Sequence, residues 1–146
     1  MTDLFTERTK RPEFRNINAF KDLPSYRLPP AGWVSILHRV SGALMFFLLP
    51  FIIWMFDTSV SSEISFSRFT AAFDAGMLGF PGLVWKVIAL GLIWAYLHHM
   101  IAGLRHLWMD INHSVSKEFG KSSALFTLSV GSILTIVFGL KLFGIY

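Results

Sequence analysis

Two short polar segments interrupt the apolar runs of this chain, and both carry side chains that can hold a ligand. The segment over residues 99–110 reads His-Met-Ile-Ala-Gly-Leu-Arg-His-Leu-Trp-Met-Asp. On a helix, His99, Gly103 and His106 lie at positions i, i+4 and i+7 and form one narrow stripe. Such polar residues are costly at membrane depth and face protein, water or a ligand there rather than lipid. The segment therefore predicts a cofactor or ligand between membrane helices.

The stripe suits one extended ligand better than one metal ion. His99 and His106 are separated by about 10.5 Å along a helix axis, which is too far for both to bind one ion. A haem needs an axial imidazole at its iron and donor groups at its propionates, and Gly103 leaves room for a flat macrocycle. The alternative is that the histidines only hydrogen-bond to neighbouring helices. His98 points about 100° away from His99, and we expect it to pack or hydrogen-bond in this way.

The segment over residues 35–42, Ser-Ile-Leu-His-Arg-Val-Ser-Gly, has different chemistry. Ser35 and Arg39 are four residues apart and share a helix face, with His38 beside them. A hydroxyl and a guanidinium can hydrogen-bond a quinone carbonyl, and the cation stabilises charge that develops on the oxygen. The alternative is that Arg39 extends to lipid phosphates and Ser35 starts the helix. The spacing alone does not separate the two readings.

Long apolar helices must position these segments. Three runs without Lys, Arg, Asp or Glu cover residues 40–56, 87–104 and 122–140. At about 1.5 Å per residue each approaches the ~30 Å hydrocarbon core of a bilayer. The sequence predicts an all-α membrane protein whose three transmembrane helices form half of a haem-binding bundle. A tail over residues 1–30 precedes an anchor domain over residues 31–146, with helices at about 31–57, 83–110 and 122–143 and a short interfacial helix at 67–75.

The charge distribution predicts the orientation of these helices. The net charge is +4, yet the cations cluster beside the apolar runs, which indicates lipid contact rather than nucleic-acid binding. Residues 57–82 contain only Arg68 as a cation, whereas six cations lie before the first run: Arg8, Lys10, Arg11, Arg15, Lys21 and Arg27. By the positive-inside rule the N-terminus lies in the cytoplasm. Acidic residues in the tail argue against an organellar transit peptide and favour a bacterial protein or a mature form. We expect a multi-pass protein of a bacterial cell inner membrane.

The chain contains no cysteine. It therefore cannot ligate an ordinary iron–sulfur cluster through thiolates, attach haem through thioethers or form a disulfide. Any redox centre must use other ligands or belong to other subunits.

The two polar segments, in this order, resemble the cytochrome b membrane-anchor family of succinate dehydrogenase. The match is carried by Ser-Ile-Leu-His-Arg-Val-Ser-Gly at 35–42 and by His-x-x-x-Gly-x-Arg-His-x-x-x-Asp at 99–110. Arg-Pro at 11–12 and Tyr-Arg-Leu-Pro at 26–29 resemble the same family, so the similarity covers nearly the whole chain.

This resemblance implies a shared haem and a shared quinone site. The chain would pair with a second hydrophobic anchor, and one haem b would lie between them with His99 as the axial ligand of its iron. The resemblance places His38, Arg39 and His106 near the propionates and Ser35 and Arg39 in a ubiquinone pocket. The second anchor and an iron–sulfur subunit would complete that pocket. A flavoprotein subunit and the iron–sulfur subunit would oxidise succinate, so no residue of this chain is expected to be catalytic for succinate.

Two other functions compete with this hypothesis. A fumarate reductase anchor differs mainly in reaction direction and quinone type, which the sequence separates poorly. A small proton or ion transporter could use the histidines as a relay, but it would need acidic partners at membrane depth. The three apolar runs contain none.

Overall fold

The computed structural model of the chain is all-α and describes residues 18, 20–22, 25–113 and 116–146. Within these residues the helices are α1 (Pro30–Phe47), α2 (Leu49–Val60), α3 (Glu63–Asp74), α4 (Gly82–Asn112) and α5 (Lys117–Leu142). Most of the predicted N-terminal tail, including the Arg-Pro pair at 11–12, lies outside the described residues.

Helices α1, α4 and α5 pack against one another and form the bundle that carries both polar segments. Small side chains sit at its centre, where Val34, Ala102 and Ala124 are fully buried. Small residues let membrane helices approach closely, and close packing replaces the hydrophobic driving force that lipid removes. The outer faces are apolar, since only 33% of the most apolar stretch of α4 and 22% of that of α5 are buried. A helix that is apolar on all sides is typical of a membrane span.

Two or three helical segments of the described chain are long and apolar enough to cross a membrane. Helices α4 and α5 each qualify alone, and α1 and α2 qualify only together as one bent span. The all-α membrane architecture is therefore confirmed, with a span count of two or three.

The first predicted helix, at about 31–57, is two helices in the structure. The chain bends by 60° between α1 and α2, at Leu48. Pro50 explains the break, because proline has no N–H for the helix ladder and its ring clashes with the carbonyl four residues earlier. The helix restarts with this proline in its first turn, where no donor is required. Beyond the bend, α2 packs on α3, and α3 in turn packs on α4.

Helix α3 begins earlier than the interfacial helix predicted at 67–75. The Ser62 hydroxyl accepts a hydrogen bond from the Ser65 N–H at 3.1 Å, and the Ser65 hydroxyl accepts one from the Ser62 N–H at 2.9 Å. This reciprocal cap satisfies backbone donors that a helix start otherwise leaves unpaired. It places the start of α3 at Glu63.

Helix α5 also begins earlier than its apolar run, which starts at residue 122. The Ser116 hydroxyl accepts a hydrogen bond from the Phe119 N–H and caps α5 at Lys117. Across the interface, Arg105 of α4 donates from Nε to the Ser123 hydroxyl at 2.9 Å and from Nη2 to the Gly120 carbonyl at 3.3 Å. These bonds fix the first turns of α5 against α4.

Candidate functional site

Three imidazole rings lie side by side where α1 crosses α4. The His38 ring of α1 stacks on the His99 ring of α4, with ring centroids 4.0 Å apart and an interplanar angle of 22°. The His106 ring lies on the other side of His38, with a centroid distance of 5.4 Å. We call His99, His38 and His106 the imidazole row. It joins the two polar segments of the sequence into one site.

Hydrogen bonds to Nδ1 orient the His99 ring. Nδ1 lies 3.0 Å from the His38 carbonyl oxygen and 3.2 Å from the Ser41 hydroxyl. Because a carbonyl can only accept, Nδ1 carries the proton of the neutral ring and donates it. Ser41 is fully buried and donates its own proton to the same carbonyl at 2.9 Å. Nε2 of His99 then carries the free lone pair, and no described residue hydrogen-bonds to it. Metal-binding histidines are held in the same way.

Glycines give the rings the space to approach. A Cβ atom at Gly42 would lie 3.0 Å from His99 Cε1, closer than side chains normally pack. At Gly103 the nearest atom to an added Cβ would be Nε2 of His38, at 3.8 Å. The space beside Gly103, assigned to a macrocycle from the sequence, thus faces the His38 ring.

The structure separates the two adjacent histidines of α4. His98 is 2% exposed; its ring stacks on Trp94 at a centroid distance of 5.6 Å and faces Gly131 of α5. His98 is therefore part of the packing among α1, α4 and α5, whereas His99 faces α1 in the imidazole row.

The row contains a buried nitrogen without a partner. Nε2 of His38 is buried and makes no hydrogen bond to any described residue. Leaving a buried polar group unsatisfied costs about 1–3 kcal/mol, so such groups normally have a partner. Nε2 of His98 is likewise unpartnered among the described residues, but only the His38 nitrogen lies in the imidazole row, where a ligand could satisfy it.

Ser35 and Arg39 are not joined to the imidazole row. Arg39 is exposed, and no hydrogen bond or ion pair links its guanidinium to another described residue. Ser35 is partly exposed, and its hydroxyl makes no hydrogen bond within the described part of the chain. Both side chains are accessible to a molecule outside this chain.

The described residues include no cluster of three or more His, Cys, Asp or Glu side chains that could hold a metal ion. His99 offers a single nitrogen for a metal ion, Nε2, because its Nδ1 is hydrogen-bonded to the His38 carbonyl. Iron at this position needs a further axial ligand and the four nitrogens of a macrocycle. A cavity of about 700 Å³ lies away from the row, lined by residues of all five helices, among them Met45 of α1 and Phe69 of α3.

The sequence-based interpretation gave no role to Ser41 and Gly42, although both contact His99. The sequence does show that both are small and lie about one helical turn after His38, which would allow another helix to approach there. Ser41 and His99 are 58 residues apart in the sequence, so local spacing does not reveal their contact.

Comparison with known proteins covers nearly the whole chain. Residues 10–138 match the model of a family described as succinate dehydrogenase/fumarate reductase transmembrane subunit. The chain is 32% identical over 116 residues to the succinate dehydrogenase cytochrome b556 subunit of Coxiella burnetii, which covers 80% of this chain and 87% of the relative. It is 31% identical over 124 residues to the protein of the same name from Paracoccus denitrificans, covering 85% and 89%. A cytochrome b560 subunit from Reclinomonas americana is 24% identical over 115 residues, covering 79% and 78%.

Proposed function

Because the chain belongs to the family of succinate dehydrogenase and fumarate reductase transmembrane subunits, we propose that it anchors a succinate dehydrogenase in the membrane and binds haem b there. The family expected from residues 35–42 and 99–110 is confirmed. The relatives named above are all succinate dehydrogenase cytochrome b subunits, which favours this complex over a fumarate reductase. The chain is thus a subunit of an oxidoreductase complex, and succinate itself is oxidised elsewhere in that complex.

The imidazole row is the observation that supports haem binding. His99 would hold the iron through Nε2, because its Nδ1 proton is held by the His38 carbonyl. When bound, haem b supplies a one-electron redox centre. This chain would supply one ligand of the iron, and we assign the other to a second hydrophobic anchor subunit.

The rest of the row suits the propionate side of the same group. His38 carries a buried nitrogen that lacks a partner, and His106 lies beside it. Imidazole N–H groups donate hydrogen bonds to carboxylates, and so does the guanidinium of Arg39, which follows His38 on α1; charge-assisted bonds of this kind are strong. We assign His38, His106 and Arg39 to the propionates on these grounds.

Ser35 and Arg39 are assigned to ubiquinone reduction. Both can donate a hydrogen bond to a quinone carbonyl oxygen, and the Arg39 cation stabilises negative charge as that oxygen is reduced. Neither side chain is engaged by the described residues, so the pocket is completed by the second anchor and the iron–sulfur subunit. The flavoprotein subunit oxidises succinate, and the iron–sulfur subunit passes the electrons on.

We assign three membrane spans to this chain, with α1 and α2 crossing as one bent span. The cations before α1 and those at Lys117 and Lys121 then share one side, whereas the connection that holds α3 lies on the other. The positive-inside rule makes the first side cytoplasmic in a bacterial inner membrane. Ser35 and Arg39 then lie in the half of α1 nearest the cytoplasm.

The optical spectrum of the complex tests the haem assignment. We expect a b-type band in the reduced-minus-oxidised spectrum when the chain is co-expressed with its partner subunits, because each anchor supplies one axial ligand. The chain expressed alone should hold less than about a tenth as much haem, since loss of a direct or supporting ligand weakens metal sites roughly 10–100-fold. An assembled complex without haem contradicts the proposal, and full haem binding by the chain alone contradicts the shared site.

Substituting Gly42→Ala tests how tightly the His99 ring is held. The added Cβ would lie 3.0 Å from His99 Cε1, so the ring has to shift by a few tenths of an ångström. We expect a changed haem band and a stability loss of about 1 kcal/mol, at the low end for overpacking. Gly91→Ala is the matched control on α4, because its Cβ meets nothing within 4 Å. The haem band and the melting temperature of each variant are measured. An unchanged haem band and melting temperature in Gly42→Ala would contradict the close approach of Gly42 to the His99 ring.

A further inference from the structure

A slot of about 540 Å³ opens between α4 and α5, at the end of the bundle where these two helices are connected. Its walls are mainly apolar and include Leu104, Trp108 and Phe126, which are all largely exposed. Arg105 and the hydroxyls of Ser122 and Ser123 also line it. We call it the α4–α5 slot. It shares no lining residue with the imidazole row.

The Arg105 guanidinium is held in a fixed orientation inside this slot. Its Nε donates to the Ser123 hydroxyl at 2.9 Å, and its Nη2 donates to the Gly120 carbonyl at 3.3 Å. The Ser123 hydroxyl is itself fixed, because it donates to the Phe119 carbonyl at 2.7 Å. These two bonds use two of the five N–H donors of the guanidinium and leave three without a described partner. The free donors lie on the Nη1/Nη2 edge, which can bind two anionic oxygens at once.

The charge of Arg105 is not paired within the described residues. No described carboxylate forms an ion pair with it, and its hydrogen bonds go only to neutral oxygens. The first two turns of α5 carry two further exposed cations, Lys117 and Lys121, and one exposed carboxylate, Glu118, which forms no ion pair with Arg105. A partly buried cation without an anion is costly, so the site favours an anionic group from outside the chain.

The slot therefore combines a cationic fork at one end with an apolar surface along its length. A phosphodiester with hydrocarbon chains matches both parts, and it is the anionic group that a bilayer supplies at the ends of membrane helices. Inorganic phosphate shares the headgroup chemistry but would leave the walls formed by Leu104 and Phe126 uncovered. We propose that the α4–α5 slot is a binding site for an anionic phospholipid, with its phosphate on Arg105 and an acyl chain between α4 and α5.

The test measures lipid-dependent stability of the delipidated, purified complex. Its melting temperature is recorded with phosphatidylglycerol, with phosphatidylcholine of the same acyl chains, and with inorganic phosphate. We expect phosphatidylglycerol to stabilise at the lowest concentration and inorganic phosphate to have no effect. In Arg105→Gln the apparent affinity for phosphatidylglycerol should fall on the order of tenfold, as for the loss of one charged hydrogen-bonding group. Arg68→Gln is the matched control, because Arg68 is an exposed arginine on α3 at a distance from the slot.

Several results would overturn the proposal. Equal stabilisation by both lipids or by inorganic phosphate would exclude an anionic-lipid site, and so would an unchanged affinity in Arg105→Gln. If the Arg105→Gln complex fails to assemble, the Ser122→Trp variant tests the proposal instead. Its indole would fill the slot and leave the hydrogen bonds of Arg105 in place. A retained phosphatidylglycerol response in Ser122→Trp, or partner side chains seen on the Arg105 guanidinium in a map of the complex, would also refute it. None of these readouts depends on haem.

Discussion

Substituting His99→Ala is expected to remove haem from the assembled complex, with the b-type band reduced at least about tenfold. The substitution deletes the imidazole whose Nε2 is free to bind iron, whereas loss of a supporting group alone already weakens metal sites roughly 10–100-fold. No described residue near the row is placed to replace it. The His38 ring belongs to α1 and lies beside the position of the His99 ring rather than in it. The measurement is the haem content per complex, from the reduced-minus-oxidised spectrum and the protein mass.

The matched control is His98→Ala at the adjacent position. His98 is buried against Trp94 and Gly131, so its loss leaves a cavity that costs stability, about 2 kcal/mol by analogy with other large-to-small core changes. The cost is partly offset because its Nε2 has no hydrogen-bond partner in the described chain. We expect the haem band to survive at reduced yield. Equal haem loss in both variants, or greater loss in His98→Ala, would refute the assignment of His99.

Substituting Arg39→Ala is expected to lower the rate of quinone reduction on the order of a hundredfold. Removing one preorganised donor at a developing negative charge typically costs this much. Arg39 is exposed and supports no described contact, so the fold of α1 should not depend on it. The rate is measured with succinate as donor and a ubiquinone analogue as acceptor.

Two controls separate a quinone defect from failed assembly. Succinate oxidation with an artificial acceptor should continue in Arg39→Ala, because we assign that reaction to the other subunits. Arg39→Lys should recover part of the rate, since it restores the charge without the planar fork. Parallel loss of both activities would indicate a structural role for Arg39 and contradict its assignment to the quinone.

Helical periodicity was sufficient to align the residues that lie on one helix. His99 and His106 are seven residues apart, so their common face follows from the sequence alone. The contact of His38 with both rings depends on how α1 crosses α4, which small residues on both helices permit but do not specify. Ser41 was missed for the same reason, because its bond to His99 is a property of the crossing.

The helix boundaries differ from the sequence prediction where local chemistry outweighs hydropathy. Apolar composition alone extends the first helix through Pro50, whereas the missing donor of that proline divides it. The apolar run likewise begins at residue 122, whereas the Ser116 cap starts α5 five residues earlier. The quinone-binding roles of Ser35 and Arg39 stay predictions, since the groups that would complete their pocket are expected in other chains.

The unpartnered nitrogen of His38 has a consequence for how the cell makes this protein. A buried polar nitrogen without a partner raises the free energy of the solitary chain, and a ligand that satisfies it stabilises only the folded form. If haem and the partner subunit satisfy this nitrogen as proposed, they act as folding ligands, and we expect the lifetime of the chain to follow their supply. Newly made copies that meet neither would then be the most exposed to proteolysis, and we expect the abundance of the subunit to follow that of its partners without a dedicated regulator.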